Sequence, residues 1–154
     1  MKLGIKKIQE NEWQVHIGNV SIRLNRFSLE LLNIALEHLQ ALEAGQKHSV
    51  LKNYIHLAEQ VLKLSPADLQ VLLREIDNKD VLSLLLVADN DVLTQTILNN
   101  IGGIMAKQLA GDMKNSAKPE REEAKEAIRR VIEKMFYFDA QGIIQIQSGD
   151  ERYI

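Results

Sequence analysis

A succession of short helical segments with compact polar breaks constrains the fold of this chain more than any other feature. The spacing of apolar residues predicts four such helices, over about residues 66–76, 78–88, 90–101 and 103–115. Between them stand pairs of residue types that end or begin helices, Asp77-Asn78, Asp89-Asn90 and Gly102-Gly103. Short helices bury an apolar face only against their neighbours, so we expect a stacked, superhelical layer.

The two ends of this helical region carry their own signals. Ser65 can cap the first helix, and Pro66 loses no hydrogen bond at the first helical position. A longer final helix is expected from near Pro119 to about Phe138. After it, the alternation of apolar and polar residues over 144–147 predicts a short C-terminal strand.

The N-terminal part has a different period. Residues 12–17 and 20–24 alternate apolar with polar side chains, and Gly18-Asn19 between them suits a tight turn, so a β-hairpin is predicted. Leu3 and Ile5 fit a third, shorter strand. Two helices follow: one capped by Ser28 and ended by Gly45, and a second that reaches about Leu62.

These elements predict a mostly α fold class with an N-terminal β-hairpin and a short C-terminal strand. We place a boundary near Leu64-Ser65, which gives three parts. Residues 1–64 hold the hairpin and two helices, residues 65–147 form the helical domain, and residues 148–154 are a tail expected to be frayed.

Composition narrows the function classes. The formal net charge of −2 gives no support to a nucleic-acid binder, and the lack of cysteine excludes disulfides and thiolate chemistry. The start of the chain has no signal-peptide pattern and the longest apolar run, residues 84–88, is too short to cross a bilayer, so a cytoplasmic location is expected. The four histidines form no metal-binding spacing and no phosphate-binding glycine loop is present. We therefore expect no catalytic, cofactor or metal site, and no enzyme.

Several sequence elements carry a family resemblance. Residues 69–77 read Leu-Gln-Val-Leu-Leu-Arg-Glu-Ile-Asp, and residues 80–86 read Asp-Val-Leu-Ser-Leu-Leu-Leu. Residues 97–101 and 142–146 continue the series in the same order. Together these elements resemble the C-terminal domain of FliG, the flagellar motor switch protein, over about residues 66–147. The resemblance implies a helical stack that serves as a torque-bearing contact surface.

In that family one helix presents a ridge of charges to the membrane-embedded stator. The corresponding helix here spans about residues 101–115. Where the family has a basic residue early in this helix, the chain has Ile104. Where the family has an adjacent acidic pair, the chain has Gly111 and Asp112, so one carboxylate of the two is retained.

A further basic residue of the family follows its proline. It falls on Arg121 when Pro119 is aligned with that proline, whereas an ungapped alignment puts Glu120 there. Lys107 and Lys114 lie on the helix with a different sign pattern. The candidate protein-interaction residues are therefore Asp112, Arg121, Lys107 and Lys114. A solvated helix face is the alternative interpretation of all four.

The resemblance implies a non-enzymatic interaction module with rotor, switch or stator proteins as partners, at the periphery of the flagellar basal body. The loss of most ridge charges favours a divergent or accessory relative. A self-assembling structural or adaptor module unrelated to motility is the alternative, because a hairpin edge can recruit a strand from another chain and give a homo-oligomer. A small-ligand or nucleic-acid regulator would need a basic patch formed by Lys6, Lys7, Arg23 and Arg26.

Overall fold

The structure, a computed structural model, describes residues 1–147. In this part of the chain a three-stranded antiparallel sheet precedes seven α-helices, which confirms the mostly α fold class. The chain divides into two compact units, residues 1–50 and a second unit that begins at Leu51. The boundary placed at residues 64–65 stays a prediction about domain organisation. The predicted tail, residues 148–154, lies outside the described residues.

The sheet of the first unit has the strand order β1-β2-β3, with β1 at Leu3–Gln9, β2 at Glu12–Ile17 and β3 at Val20–Asn25. Ile17 pairs with Val20, so residues 18 and 19 form the predicted two-residue turn. Gly18 adopts φ 59°, a conformation that glycine reaches without a Cβ clash. The hairpin of β2 and β3 is confirmed. Strand β1, which was predicted from Leu3 and Ile5, is longer than the sequence indicated.

Helix α1 spans Arg26–Glu43 and begins two residues before Ser28. The predicted Ser28 cap is wrong, because Asn25 at the end of β3 takes that role. The Asn25 side-chain oxygen accepts the backbone N–H of Ser28 at 2.8 Å, which places Ser28 inside the first turn. An asparagine that leaves a strand with extended backbone satisfies a free N–H group earlier than the serine can.

The second unit is built from six α-helices and a short 3₁₀ helix at Glu59–Lys63. The α-helices are α2 Val50–Ala58, α3 Pro66–Glu75, α4 Asn78–Ala88, α5 Asp91–Asn100, α6 Gly103–Asn115 and α7 Arg121–Ala140. Their bounds agree with the predicted helices to within about two residues, apart from the segment that turns into the 3₁₀ helix. Each predicted polar break lies at a junction between two helices, and Asn78 and Gly103 are the first residues of α4 and α6.

Caps formed by the polar breaks explain this agreement. The Ser65 hydroxyl accepts the Asp68 N–H at 3.2 Å, and the Asn90 side-chain oxygen accepts the Leu93 N–H at 3.2 Å. Asp89 ends α4 in the left-handed conformation, at φ 48°. Such caps satisfy backbone groups that the helix itself leaves without partners. Local side chains therefore fix where α3, α4 and α5 start.

Helix α7 is the centre of the core of the second unit, and it packs most extensively on α4. Eight of its side chains are buried: Ala124, Ala127, Ile128, Val131, Ile132, Met135, Phe136 and Phe138. Leu69 and Leu72 of α3, Leu84 and Leu85 of α4, and Leu93 and Ile97 of α5 are almost completely buried as well. Each short helix thus buries one apolar stripe in a shared core, as the predicted stacking requires.

The predicted C-terminal strand is wrong. Residues 144–147 contain no strand, and the sheet consists of β1, β2 and β3 alone in the described chain. The backbone N–H groups of this segment bond to helical residues instead: Gln145 donates to Asp68 Oδ2 at 3.0 Å and Ile146 to Asp139 Oδ1 at 3.0 Å. Ile144 is buried. Two carboxylates of the second unit supply the acceptors that a neighbouring strand would otherwise provide.

Candidate functional site

Helix α6 is the element on which the sequence places three of the four candidate residues. It starts after Gly102, whose φ of 95° lets the chain turn sharply out of α5. Leu109 is its one buried side chain, and the helix contacts α4 and α5. The remaining faces are half-buried or exposed. A helix that buries so little leaves most of its length open to a partner.

The exposed side of α6 carries two separate lines of residues. Ile104, Lys107 and Lys114 follow one another at spacings of three and seven residues, which puts them on one stripe of the helix. Ile104 is 85% exposed, and both lysines are exposed. Gly111 completes the stripe without adding a side chain beyond hydrogen. This stripe is therefore basic, with an apolar residue at its start.

Asp112 lies away from that stripe. It follows Lys107 by five residues, which at 3.6 residues per turn is a rotation of about 140° around the helix. Its side chain lines a groove of about 300 Å³ between α6 and the beginning of α4. Asp77 and Lys79 line the same groove from α4, and Met105 lines it from α6. The structure thus separates the retained carboxylate from the two lysines.

Arg121 occupies a third position, as the first residue of α7 after the loop that follows α6. It is exposed, like Asp112, Lys107 and Lys114. Within residues 1–147 none of these four side chains forms an ion pair. All four charges consequently face solvent and can take part in a salt-sensitive contact with another protein.

An ion pair between buried Asp80 and exposed Arg130 holds α4 against α7. Arg130 donates from Nε to Asp80 Oδ2 at 2.9 Å and from Nη2 to Asp80 Oδ1 at 2.8 Å. Asp80 is 7% exposed and is the one buried charged residue of the described chain. The hydrogen bonds with Asp80 raise the pKa of Arg130 above its usual value, so the guanidinium stays charged at any pH used for binding. This bidentate pair fixes the start of α4, which forms one wall of the groove.

No helix within residues 1–147 combines the length and the apolar character needed to cross a membrane. A comparison with protein-family sequence models matches the FliG C-terminal domain over residues 46–146, about two thirds of the chain. The chain belongs to the FliG C-terminal domain family. It therefore carries a flagellar switch-like domain of a family that is a structural component of the motor. Searches of curated proteins and of solved structures found no match.

The family match extends further than the sequence resemblance did. It starts about twenty residues before residue 66 and so includes α2 and the 3₁₀ helix. The sequence analysis missed this extent because the residues of α2 carry an ordinary apolar stripe and no distinctive motif. The contacts agree with the wider match, since they group α2 from Leu51 onward with the second unit.

The groove beside Asp112 is the part of this FliG-like surface that sequence reasoning missed. Asp77 and Lys79 stand more than thirty positions before Asp112, and no sequence spacing joins them. Only the stacking of α6 on α4 brings the three charges to one groove. The polar pair Asp77-Asn78, which we interpreted only as a break between helices, was the sequence feature that could have indicated this groove.

Two further groups of side chains on this FliG-family chain bear on metal and nucleic-acid binding. His38 and His48 approach to 3.0 Å between their Nδ1 atoms in the first unit, and within residues 1–147 no third histidine, cysteine or carboxylate joins a metal-binding group. Lys6 and Arg23 share one face of the sheet, whereas Lys7 lies on the opposite face. The four cations considered for a nucleic-acid site therefore do not form a single sheet face.

Proposed function

We propose that this chain is a divergent or accessory relative of the flagellar switch protein that acts through protein–protein contacts at the cytoplasmic base of the flagellum. Its contact surface is the exposed side of α6 together with the groove that contains Asp112. The observation that carries the proposal is the family match over residues 46–146, within which α6 is exposed along most of its length. A rotor, switch or stator protein is the partner class that the family supports.

The charge pattern of α6 supports a relative that differs from the torque-generating members. Ile104 presents an almost fully exposed aliphatic side chain at the position where the resemblance implies a cation. Asp112 supplies one carboxylate and lies about 140° from Lys107 around the helix. An electrostatic contact is strongest when the charges that face the partner lie on one side of a helix. In α6 the lysines and Asp112 lie on different sides. We infer that a partner contacts the basic stripe and the acidic groove through two different parts of its surface.

Separate variants can test the basic stripe and the Asp112 groove. We would measure binding of the intact chain to purified cytoplasmic parts of the rotor, switch and stator from the same cells, at low and at physiological salt. Asp112→Lys tests the groove, and the double variant Lys107→Glu, Lys114→Glu tests the stripe. Lys52→Glu, at an exposed lysine of α2, is the matched control for charge reversal outside this surface.

Each outcome bears on the proposal. We expect one α6 variant or both to weaken binding about tenfold or more, with the loss largest at low salt, because exposed charges act through screened electrostatics. The control should bind as the unchanged chain does. Binding to a motor component that neither α6 variant weakens would move the contact to another surface. No binding to any motor component would mean that the family fold is retained without the role.

A further inference from the structure

The first unit leaves a large apolar face uncovered. Ile34 is the single buried residue of α1, although the helix carries many more apolar side chains. Leu32, Leu36, Leu39 and Leu42 remain 39–54% exposed. Together with the exposed Ala35 they lie on one side of the helix, about a quarter turn or more away from Ile34. Helix α1 is thus apolar on a side that the sheet does not cover.

The sheet extends this uncovered face. Its pairing puts Leu3, Ile17 and Val20 in one cross-strand row and Ile5, Val15 and Ile22 in the next. Val15 is buried, but the other five side chains of these rows are 41–73% exposed. A cleft of about 410 Å³ joins the sheet to the helix, since Ile5 lines it with Leu29, Leu32 and Leu36. The exposed parts of the sheet and of α1 therefore form one continuous surface, which we call the α1–sheet face.

The size of the α1–sheet face matches what a stable dimer needs. A fully exposed aliphatic side chain presents on the order of 100 Å² of apolar surface. Nine such side chains at about half exposure present roughly 450 Å². A standard interface buries about 800 Å² per partner, of which about 65% is apolar in homodimers, or roughly 500 Å². A patch of this size is comparable to the largest apolar patch of a typical monomer, and such patches often bind a partner.

The sequence of α1 indicates what covers the face. Leu32, Ala35, Leu39 and Leu42 repeat at spacings of three, four and three residues, the pattern with which two helices pack along a shared seam. A two-fold axis across this stripe would bring it against itself, because such an interface uses the same patch on both copies. Two α1 helices related by this axis would run antiparallel. The positive end of each helix dipole would then lie near the negative end of the other.

We propose that a second copy of this chain covers the α1–sheet face, with the two α1 helices packed antiparallel about a two-fold axis. The proposal does not depend on the flagellar role, because it involves residues outside the family match. It differs from pairing through a sheet edge, in which backbone groups of β1 or β3 would make the contact.

Sedimentation equilibrium of the intact chain tests the proposal directly. We expect a mass of twice the 17.5 kDa chain in the micromolar range. The double variant Leu36→Glu, Leu39→Glu should weaken association at least a hundredfold, because it puts four carboxylates, two from each copy, into the paired α1–sheet faces. Val92→Glu is the matched control, since Val92 is a 65% exposed aliphatic residue of α5. Circular dichroism of each variant checks that the helices are retained.

Cross-linking supplies a second measurement that does not depend on a destabilising change. The chain has no cysteine, so a single cysteine in place of Ala35 or Leu39 reports on its own symmetry-related copy. We expect a disulfide-linked dimer under mild oxidation from one of these two variants, and none from Val92→Cys. A monomer at several hundred micromolar would overturn the proposal. A dimer that survives Leu36→Glu, Leu39→Glu unchanged, or that cross-links only through a β1 or β3 edge, would overturn it as well.

Discussion

The ion pair between Asp80 of α4 and Arg130 of α7 gives the sharpest test of how the second unit is held together. Asp80 Oδ1 and Oδ2 accept two hydrogen bonds from Arg130 at 2.8 and 2.9 Å. The two partners differ in environment, since the Asp80 side chain is 10% exposed and the Arg130 side chain is 52% exposed. Arg130→Met should therefore destabilise the unit more than Asp80→Asn does. The first change strands a buried carboxylate, whereas the second leaves a guanidinium that water can reach.

The magnitudes follow from these exposures. Breaking a fully buried pair from one side costs about 3–5 kcal/mol, and an exposed pair contributes about 0–1 kcal/mol. For this pair we expect about 2–3 kcal/mol of lost unfolding free energy for Arg130→Met, because the carboxylate is enclosed. For Asp80→Asn we expect about 1–2 kcal/mol, since Arg130 keeps part of its hydration. In a chain of this length 2–3 kcal/mol lowers Tm by about 5–10 °C.

The pH dependence of the pair follows from the charge of Arg130. The raised pKa of Arg130 gives a contribution that is present below the unfolded-state pKa of arginine and is lost only far above neutral pH. The guanidinium therefore stays charged during acidification. The stability that the guanidinium contributes should consequently be the same at pH 7 and at pH 9, and Arg130→Met should lose the same amount of unfolding free energy at both.

The assay can distinguish the two units. Urea unfolding followed by circular dichroism at 222 nm reports mainly on the helices, while Trp13, the sole tryptophan, reports on the sheet of the first unit. We expect Arg130→Met to shift the circular dichroism transition more than the Trp13 fluorescence transition. Equal losses for Arg130→Met and Asp80→Asn would refute the assignment of the cost to the stranded carboxylate.

Three further predictions concern the local signals that shape the second unit. Gly102→Ala should cost about 1–2 kcal/mol because φ 95° strains any residue with a Cβ, whereas Gly103→Ala, in the first turn of α6, should be neutral or stabilising; a urea series that ranks the two alike would contradict this. Ser65→Ala removes the acceptor for the Asp68 N–H and should cost about 1 kcal/mol, measured in the same series, with an unchanged midpoint as the contrary result. Leu72→Ala, at a residue with no exposed surface, should cost about 2–5 kcal/mol through the cavity it leaves, and a loss below 1 kcal/mol would show that the core closes around it.

Local patterns were sufficient for the elements and for much of the fold. The hairpin followed from alternation around Gly18, and the short helices followed from apolar spacing with capping residues such as Ser65 and Asn90. These features depend on interactions within a few residues of each other, so the sequence expresses them directly. The Ser28 cap was wrong at this same level, because Asn25 caps the helix three residues earlier and accepts the N–H of Ser28 itself.

Contacts between residues far apart in the chain could not be predicted from the sequence. The alternation in residues 144–147 resembles a strand, but Asp68 and Asp139 offer acceptors that only the folded second unit brings near. The pairing of Asp80 with Arg130 spans fifty positions, and no periodicity predicts it. Such contacts depend on how helices stack, and stacking is decided by the shared core of many side chains.

The same distinction between local and long-range features applies to the candidate interaction residues of α6. The sequence by itself determined that α6 exists, that it carries Lys107, Asp112 and Lys114, and through its resemblance that it belongs with a flagellar switch domain. The helical period already separates Asp112 from the lysines by angle. Only the tertiary structure decided what each faces, because the stacking of α6 on α4 places Asp112 in a groove and leaves the lysines on an open stripe. A helix has a fixed angular period, but which of its faces is buried depends on the neighbours that pack against it.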